Sequence, residues 1–278
     1  PTDQADNITF TNITTTSMVV NWQNGNGDNS LIIAKQGGSV NVSPSDGATY
    51  TANSTFGSGQ EIGTGNFVVY DGSGSSATIT GLTAGTTYHY KVFEYNNSGS
   101  NTKYNINDDT DNPNSQATLK NEPSEHVTNF ASGTVTQTSI ELTWTGSGGA
   151  VLPDNYLLVG KTGAGSYPSV ADGTPVADDL DWSDNSVAIN VSFGETTYTF
   201  SSLSSATAYD FKMYPYTNSG TSIDFKTGSE PSVSETTLKN APATQATSIV
   251  FSGVTTDQMT LSWTNGDGDS RIVVARQN

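Results

Sequence analysis

Three tryptophans, Trp22, Trp144 and Trp263, occupy equivalent places in a pattern that recurs along the chain. The pattern alternates apolar and polar residues, as Met18-Val-Val-Asn-Trp22 in the first copy and Met259-Thr-Leu-Ser-Trp263 in the last. The second tryptophan lies 122 positions after the first, and the third lies 241 positions after it. A period of about 120 residues is too long for a solenoid and matches one small domain. The sequence therefore predicts an array of similar domains.

Repeated junction sequences divide this array. Thr118-Leu-Lys-Asn-Glu-Pro123 and Thr237-Leu-Lys-Asn-Ala-Pro242 repeat each other. They predict domains at residues 1–121 and 122–240 and an incomplete third copy at residues 241–278. Proline fixes its own backbone and disfavours helix in the residue before it, so we expect both junctions to be short and extended.

The third copy matches residues 1–37 and lacks the later strands of a repeat. Its apolar inner face would have no cover, and such strand edges are prone to aggregation. We therefore expect the natural chain to continue past Asn278. The alternative is that a neighbouring molecule donates the missing strands.

Composition excludes several classes of function. Ten basic residues against 27 acidic ones give a net charge of −17, which argues against binding to nucleic acid or to an anionic membrane surface. The absence of cysteine excludes disulfides, thiolate metal sites and a cysteine nucleophile. No apolar run reaches the roughly 18 residues of a membrane span, and Pro1 does not open a signal peptide. The low lysine content, the acidity and the many Thr, Asn and Gly residues favour an extracellular or cell-surface location.

The strand pattern predicts antiparallel β-sandwiches. The alternation before each tryptophan has the period of two that a half-buried strand requires. Leu31-Ile-Ile-Ala-Lys35 is a continuous apolar run, typical of a central strand. Leu82 lies six residues before Tyr88, and Leu203 lies six residues before Tyr209; this spacing predicts a tyrosine corner, in which the hydroxyl bonds back to the upstream backbone. The predicted fold class is all-β, with two complete sandwiches and one partial sandwich.

The early tryptophan and the late tyrosine corner resemble the fibronectin type III domain over residues 1–240. Both repeats are larger than an ordinary sandwich, because Trp22 to Tyr88 spans 66 positions and Trp144 to Tyr209 spans 65. The surplus follows the third strand. It is similar to the enlarged fibronectin-type repeats of long secreted proteins of Bacteroidetes, many of them type IX secretion cargo. The first repeat fits this resemblance well, and residues 163–185 of the second share none of its sequence.

Nucleophilic catalysis has few candidates. The two histidines are His89, predicted to face outward beside Tyr88, and His126, predicted at a domain junction. A catalytic triad needs a histidine oriented by a carboxylate, and neither histidine recurs in both repeats. Surface histidines without a catalytic role are the simpler interpretation, and we predict no enzyme activity.

Calcium is the one cofactor that the sequence suggests. Asn107, Asp108, Asp109 and Asp111 cluster in one loop, and Ca²⁺ accepts six to eight oxygen ligands in irregular geometry. The cluster does not follow the twelve-residue calcium-loop pattern, and the alternative is a solvated acidic loop. Asp28 and Asp269, in a repeated Asn/Gly/Asp turn, carry the same two alternatives of oxygen ligand and turn former.

A repeated aromatic set is the last candidate site. Phe93 and Tyr95 are predicted to face outward after the tyrosine corner, and Tyr214 and Tyr216 occupy the same places 121 positions later. Such rings could stack on sugars. The alternative is that they form the surface on which the enlarged insertions pack.

The function that these patterns favour is a non-enzymatic stalk, spacer or filament shaft of an extracellular or adhesin protein. The expected partners are further repeats of the same polypeptide or neighbouring copies, with glycans or other surface proteins as additional candidates. We expect neither nucleic acid binding nor membrane insertion. The alternative is an accessory carbohydrate-binding or spacer region of a secreted hydrolase.

Overall fold

The computed structural model describes residues 1–163 and 165–277, and its regular structure is almost entirely β-strand. The predictions for residues 163–185 and 241–278 include Ala164 and Asn278, which lie outside the described residues. The helical segments are single 3₁₀ turns, and none of those described is long and apolar enough to cross a membrane. The strands form tandem antiparallel sandwiches, so the predicted fold class is confirmed.

The first sandwich has eight strands in two sheets. One sheet has the order β1-β2-β5, and the other has the order β4-β3-β6, with β7 and β8 both pairing with β6. The central position of β3 explains its continuous apolar sequence, because a strand covered on both faces needs apolar residues at every position. The strands are β1 (Asp6–Thr11), β2 (Met18–Gln23), β3 (Asn29–Gln36), β4 (Asn66–Gly72), β5 (Ser76–Ile79), β6 (Thr87–Asn96), β7 (Lys103–Tyr104) and β8 (Asn114–Ala117).

The core of the first sandwich lies between these two sheets. Trp22 is only 5% exposed and packs edge to face on Tyr70, with ring centroids 5.1 Å apart. The burial predicted from the period-two pattern is confirmed. The buried core residues are Ala5, Ile8, Met18, Val20, Trp22, Ile32, Ala34, Val69, Ile79, Leu82, Tyr88, Tyr90 and Val92.

A second apolar cluster lies on the opposite face of the β4-β3-β6 sheet. Its buried members are Leu31, Ile33, Val68 and Phe93. Residues 37–65, the insertion between β3 and β4, cover this face with partly buried side chains that include Val42. The sandwich therefore has three layers: a three-stranded sheet, a larger central sheet and the insertion.

The second sandwich repeats this topology. Its sheets have the orders β9-β10-β13 and β12-β11-β14, with β15 and β16 both pairing with β14. Trp144 is 5% exposed in its core, as predicted. The strands are β9 (Thr128–Val135), β10 (Ile140–Thr145), β11 (Asn155–Thr162), β12 (Ser186–Ser192), β13 (Thr197–Phe200), β14 (Ala208–Thr217), β15 (Asp224–Phe225) and β16 (Ser232–Thr236).

Both tyrosine corners are formed. The Tyr88 hydroxyl accepts a hydrogen bond from the Thr83 N–H at 2.9 Å, and the Tyr209 hydroxyl accepts one from the Ser204 N–H at 2.9 Å. These bonds confirm the prediction from the Leu-to-Tyr spacing.

The third copy contributes a hairpin of β17 (Thr247–Ser252) and β18 (Thr260–Thr264). Its register repeats that of β1 and β2: Phe251 pairs with Leu261 as Phe10 pairs with Val20. Unlike its counterparts, the hairpin has an open apolar face, on which Phe251 is 59% exposed and Trp263 is 37% exposed.

Candidate functional site

The acidic loop from Asn107 to Asp111 leaves the sheet edge between β7 and β8. The buried Asn112 side chain takes the place of a strand in this gap. Its Oδ1 accepts a hydrogen bond from the Val92 N–H at 3.0 Å, and its Nδ2 donates to the Val92 carbonyl at 2.9 Å. The edge of β6 is thus hydrogen-bonded at Val92, and residues 107–111 are exposed to solvent.

The four predicted calcium ligands, Asn107, Asp108, Asp109 and Asp111, have separate surroundings. The Asn107 N–H donates to Asn105 Oδ1 at 3.1 Å, and Asp108 forms an ion pair with Lys91. The Asp109 carboxylate accepts a hydrogen bond from the Thr110 N–H at 2.7 Å, and Asp111 has a left-handed backbone with φ of 50°. Nowhere in residues 1–163 and 165–277 do three or more His, Cys, Asp or Glu side chains gather closely enough to hold a metal ion. Calcium binding at this loop stays a prediction, and a cation would have to displace the Lys91 ammonium from Asp108.

The predicted aromatic set lies on the outer sheet faces, beneath the insertions. Phe93 is fully buried, Tyr214 and Tyr216 are each 7% exposed, and Tyr95 donates from its hydroxyl to Asp71 Oδ1 at 2.6 Å. Burial raises the pKa of the Tyr214 and Tyr216 hydroxyls above their ordinary value, which keeps both rings neutral. These rings are occupied by packing, so sugar stacking on this face would require an insertion to move away.

Neither histidine has catalytic surroundings. His126 Nε2 lies 2.9 Å from the Gly228 carbonyl oxygen, and His89 borders a shallow crevice with Pro113 and Asn114. Among the hydrogen bonds and ion pairs within residues 1–163 and 165–277, none joins a histidine to a carboxylate. The arrangement that a triad requires is therefore not present in the described part of the chain.

The junction between the two complete sandwiches contains a connected set of polar contacts. Leu119 belongs to the first sandwich: its N–H donates to the Thr14 carbonyl at 3.0 Å, and its carbonyl accepts from the Gly85 N–H at 2.9 Å. These bonds extend the edge of the first sandwich up to the residue before Lys120.

Lys120 belongs to the second sandwich. Its N–H donates to Asn218 Oδ1 at 2.9 Å, and Asn218 Nδ2 donates to its carbonyl at 2.9 Å. The Lys120 ammonium lies 2.5 Å from Asp154 Oδ1, and the other oxygen of Asp154 accepts the Asn218 N–H at 2.8 Å. Asp154 therefore binds the Lys120 ammonium with one oxygen and, with the other, the backbone of Asn218, whose side chain is hydrogen-bonded to the Lys120 backbone. We call Asp154 and Asn218 the linker socket.

The residues that follow Lys120 are also attached. The Thr217 hydroxyl donates to the Asn121 carbonyl at 2.9 Å, and Lys226 forms an ion pair with Glu122 at 2.8 Å. Residues 120–122 of this described junction are therefore all attached to the second sandwich, with no unattached linker residue between it and Leu119.

The second junction repeats half of this arrangement. Leu238 donates its N–H to the Thr136 carbonyl at 2.9 Å, as Leu119 does to Thr14. The Lys239 ammonium lies 2.8 and 2.7 Å from the two oxygens of Asp269. Asp154 and Asp269 stand at equivalent positions in their repeats. Asp154 lies seven residues before Lys161, and Asp269 lies seven residues before Arg276.

The sequence patterns do not reveal this site. They predict Asp269 as a turn former or oxygen ligand and give no link between Asp269 and Lys239. Two features that recur together could have indicated it. A Lys-Asn pair stands at each junction, and an aspartate follows in the turn after the next repeat's tryptophan. Asn218 had a signal of its own, because Asn97-Ser-Gly recurs as Asn218-Ser-Gly.

Comparison with known families gives a match to part of the chain. Residues 4–110 match the family described as Purple acid Phosphatase, N-terminal domain. The match covers less than half of the chain and coincides with most of the first sandwich. No curated protein matches the chain.

Solved structures with fibronectin type III domains are similar at low sequence identity. A two-domain segment of chicken tenascin is 14% identical, with a TM-score of 0.30, and the match covers 84% of this chain and 100% of that one. The FN1–FN3 domains of chicken CNTN1 are 14% identical, with a TM-score of 0.33, and the match covers 94% and 75%. An FN3 domain of human collagen XX is 19% identical, with a TM-score of 0.28, and the match covers 43% and 100%. The strand order defines the class: tandem fibronectin type III-like sandwiches.

Proposed function

We propose that this chain is a non-enzymatic spacer, a stalk or shaft segment of an extracellular cell-surface or adhesin protein. In this role the chain separates two functional parts of a longer polypeptide and keeps a defined geometry between them. The junction at Lys120 carries the proposal, because it attaches consecutive residues to consecutive sandwiches and leaves no flexible residue between them. A chain of independently tumbling domains would not need such a junction.

Pulsed electron paramagnetic resonance on the full chain tests this function. The chain has no cysteine, so exposed Ser73 and Ser201, one in each complete sandwich, can be changed to cysteine and spin-labelled without competing thiols. We expect one narrow distribution of distances between the labels. The Asp154→Asn and Asn218→Ala double variant should broaden it, because it removes the ammonium partner and the clamp on the Lys120 backbone.

The matched control is Glu61→Gln, which removes an exposed carboxylate outside the junction and keeps the oxygen that accepts the Gly65 N–H. It should leave the distance distribution unchanged. A broad distribution in the unmodified protein at physiological salt would contradict the spacer function.

A second candidate is an accessory region of a secreted hydrolase. The observation that favours it is the match of residues 4–110 to the N-terminal domain of purple acid phosphatases. A catalytic hydrolase domain in the same reading frame, together with binding of this chain to a polysaccharide, would favour this candidate. A reading frame made of further repeats would favour the spacer.

Two further parts of the proposal can be tested separately. We propose that residues 1–121 and 122–240 are independent domains, and each expressed alone should unfold cooperatively. We also propose a source among the secreted proteins of Bacteroidetes, exported by type IX secretion. A gene neighbourhood or C-terminal sorting region of another export route would contradict the source.

A further inference from the structure

The first sandwich contains a second copy of the linker socket. Asp28 stands seven residues before Lys35, as Asp154 does before Lys161. The Asn97 N–H donates to Asp28 Oδ2 at 3.1 Å, as the Asn218 N–H donates to Asp154 Oδ2 at 2.8 Å. The backbone conformation is also repeated, with φ of 66° at Asn97 and 62° at Asn218.

In contrast to the socket at the junction, this copy holds no linker. Within residues 1–163 and 165–277, neither Asp28 Oδ1 nor the Asn97 side-chain amide has a hydrogen-bond partner. Asp28 and Asn97 are exposed, whereas Asp154 and Asn218 are half-buried beneath the linker. The three groups that bind Lys120 at the junction are thus all present and open on the first sandwich.

The chemistry of an occupant follows from the filled socket. A carboxylate oxygen binds an ammonium group. A side-chain amide can accept from the N–H and donate to the carbonyl of one residue, as Asn218 does with Lys120. The exposed Lys239–Asp269 pair shows that the ion pair forms even where the remainder of the socket is missing. Pro1 aligns with Pro123, so a lysine three residues ahead of it would stand where Lys120 stands.

We propose that Asp28 and Asn97 form a binding site for the Leu-Lys-Asn segment that ends a neighbouring repeat. The occupant is the end of a repeat that precedes this sandwich in the same polypeptide. Its ammonium pairs with Asp28 Oδ1, and the Asn97 amide bonds both backbone groups of that lysine. The inference rests on the proposed spacer function and extends it to a further junction.

The test extends the full chain before Pro1 by a second copy of residues 122–241, which places Leu-Lys-Asn-Ala in front of the socket. Spin labels on the added copy of Ser201 and on Ser73 report the new junction. We expect a distance distribution as narrow as the one across the Lys120 junction. Asp28→Asn with Asn97→Ala should abolish this narrow distribution, and Glu61→Gln should preserve it. Both socket residues are exposed, so the variants should fold, and circular dichroism checks this.

The outcomes separate the two proposals. A narrow native junction with a broad new junction would overturn the socket and leave the spacer function standing. If both junctions are broad, both proposals fail. Self-association of the unextended chain that Asp28→Asn abolishes in sedimentation would support the socket and identify another copy as the source of the segment.

Discussion

Leu119 and Lys120 are consecutive residues whose backbone groups are hydrogen-bonded to different sandwiches. Leu119 bonds to Thr14 and Gly85 of the first, and both backbone groups of Lys120 bond to Asn218 of the second. The boundary between the two sandwiches is therefore a single peptide unit. Its bending requires the loss of hydrogen bonds on one side or the other, each of which contributes about 1 kcal/mol.

The two buried tryptophans should be essential for stability. Trp22→Ala or Trp144→Ala should destabilise its sandwich by about 3 to 5 kcal/mol, because each leaves a large cavity between the sheets. Urea unfolding followed by tyrosine fluorescence and circular dichroism measures this. Trp263→Ala is the matched control: its indole is 37% exposed, and we expect a change within about 0.5 kcal/mol. Equal losses for all three would contradict the assignment of the core.

Loss of the hydroxyl should have different effects on stability at two neighbouring tyrosines. Tyr88→Phe removes the bond from the Thr83 N–H and should cost about 1 kcal/mol. The Tyr90 hydroxyl is buried with no hydrogen-bond partner among the described residues, so Tyr90→Phe should be neutral or stabilising. Thermal unfolding of the two variants provides the comparison, and a larger loss at Tyr90 would contradict the structure.

Replacing Gly25 or Gly38 by alanine should change the stability in opposite directions. A Cβ at Gly25 would lie 2.3 Å from the Asp3 carbonyl oxygen, so Gly25→Ala should cost about 2 kcal/mol. A Cβ at Gly38 meets nothing within 4 Å, and Gly38→Ala should stabilise by about 0.4 to 1 kcal/mol through a less flexible unfolded chain. Chemical denaturation of both variants checks the difference in sign.

Acid should weaken the second sandwich partly through Asp210. A hydrogen bond from the Ser234 hydroxyl and, as the next largest cause, one from the Lys161 ammonium hold the pKa of this carboxyl below its ordinary value. The unfolded chain therefore takes up the proton first, and the stabilisation is present above about pH 4 and lost as the pH falls further. Asp210→Asn should cost about 0.5 kcal/mol at neutral pH, and the difference from the unmodified protein should shrink below about pH 4. Unfolding curves across this pH range measure it, and a gap that grows on acidification would contradict the sign.

Chelation tests the acidic loop. If the loop binds calcium, EDTA should lower the melting temperature; an unchanged melting temperature would favour the solvated loop, in which Lys91 neutralises Asp108. A ligand that binds only the folded state would raise the melting temperature by mass action. A rise with calcium and not with magnesium would establish a calcium site at Asp108, Asp109 and Asp111.

The sandwich cores were predictable because their signals are local. Trp22 ends a short alternating strand, and Tyr88 follows its leucine at a fixed spacing, so each can be recognised within a few residues. The aromatic residues by which each insertion packs against the core between the sheets were harder to predict. Phe56 and Trp182 share no surrounding sequence, yet each packs edge to face on the corner tyrosine of its repeat, at 5.0 and 4.8 Å between ring centroids. Different insertions thus meet the same packing requirement.

The linker socket was hidden for another reason. Lys120, Asp154 and Asn218 are far apart in sequence, and each has an ordinary local explanation as a solvated lysine, a turn aspartate or a left-handed asparagine. Only the closed sandwich brings the turn after β14 beside the start of β11. A long-range polar site of this kind requires the tertiary structure.

The linker socket also gives the array a polarity. Each complete sandwich ends in a Leu-Lys-Asn segment and has, near its start, an aspartate at the position of Asp154. The contact at the Lys120 junction joins the end of one sandwich to the start of the next, so it is heterologous and cannot join two like ends. Repeats related in this way can be added only in one orientation, and nothing in the contact limits their number. All repeats of such an array therefore point in the same direction, from the N-terminus to the C-terminus of the polypeptide.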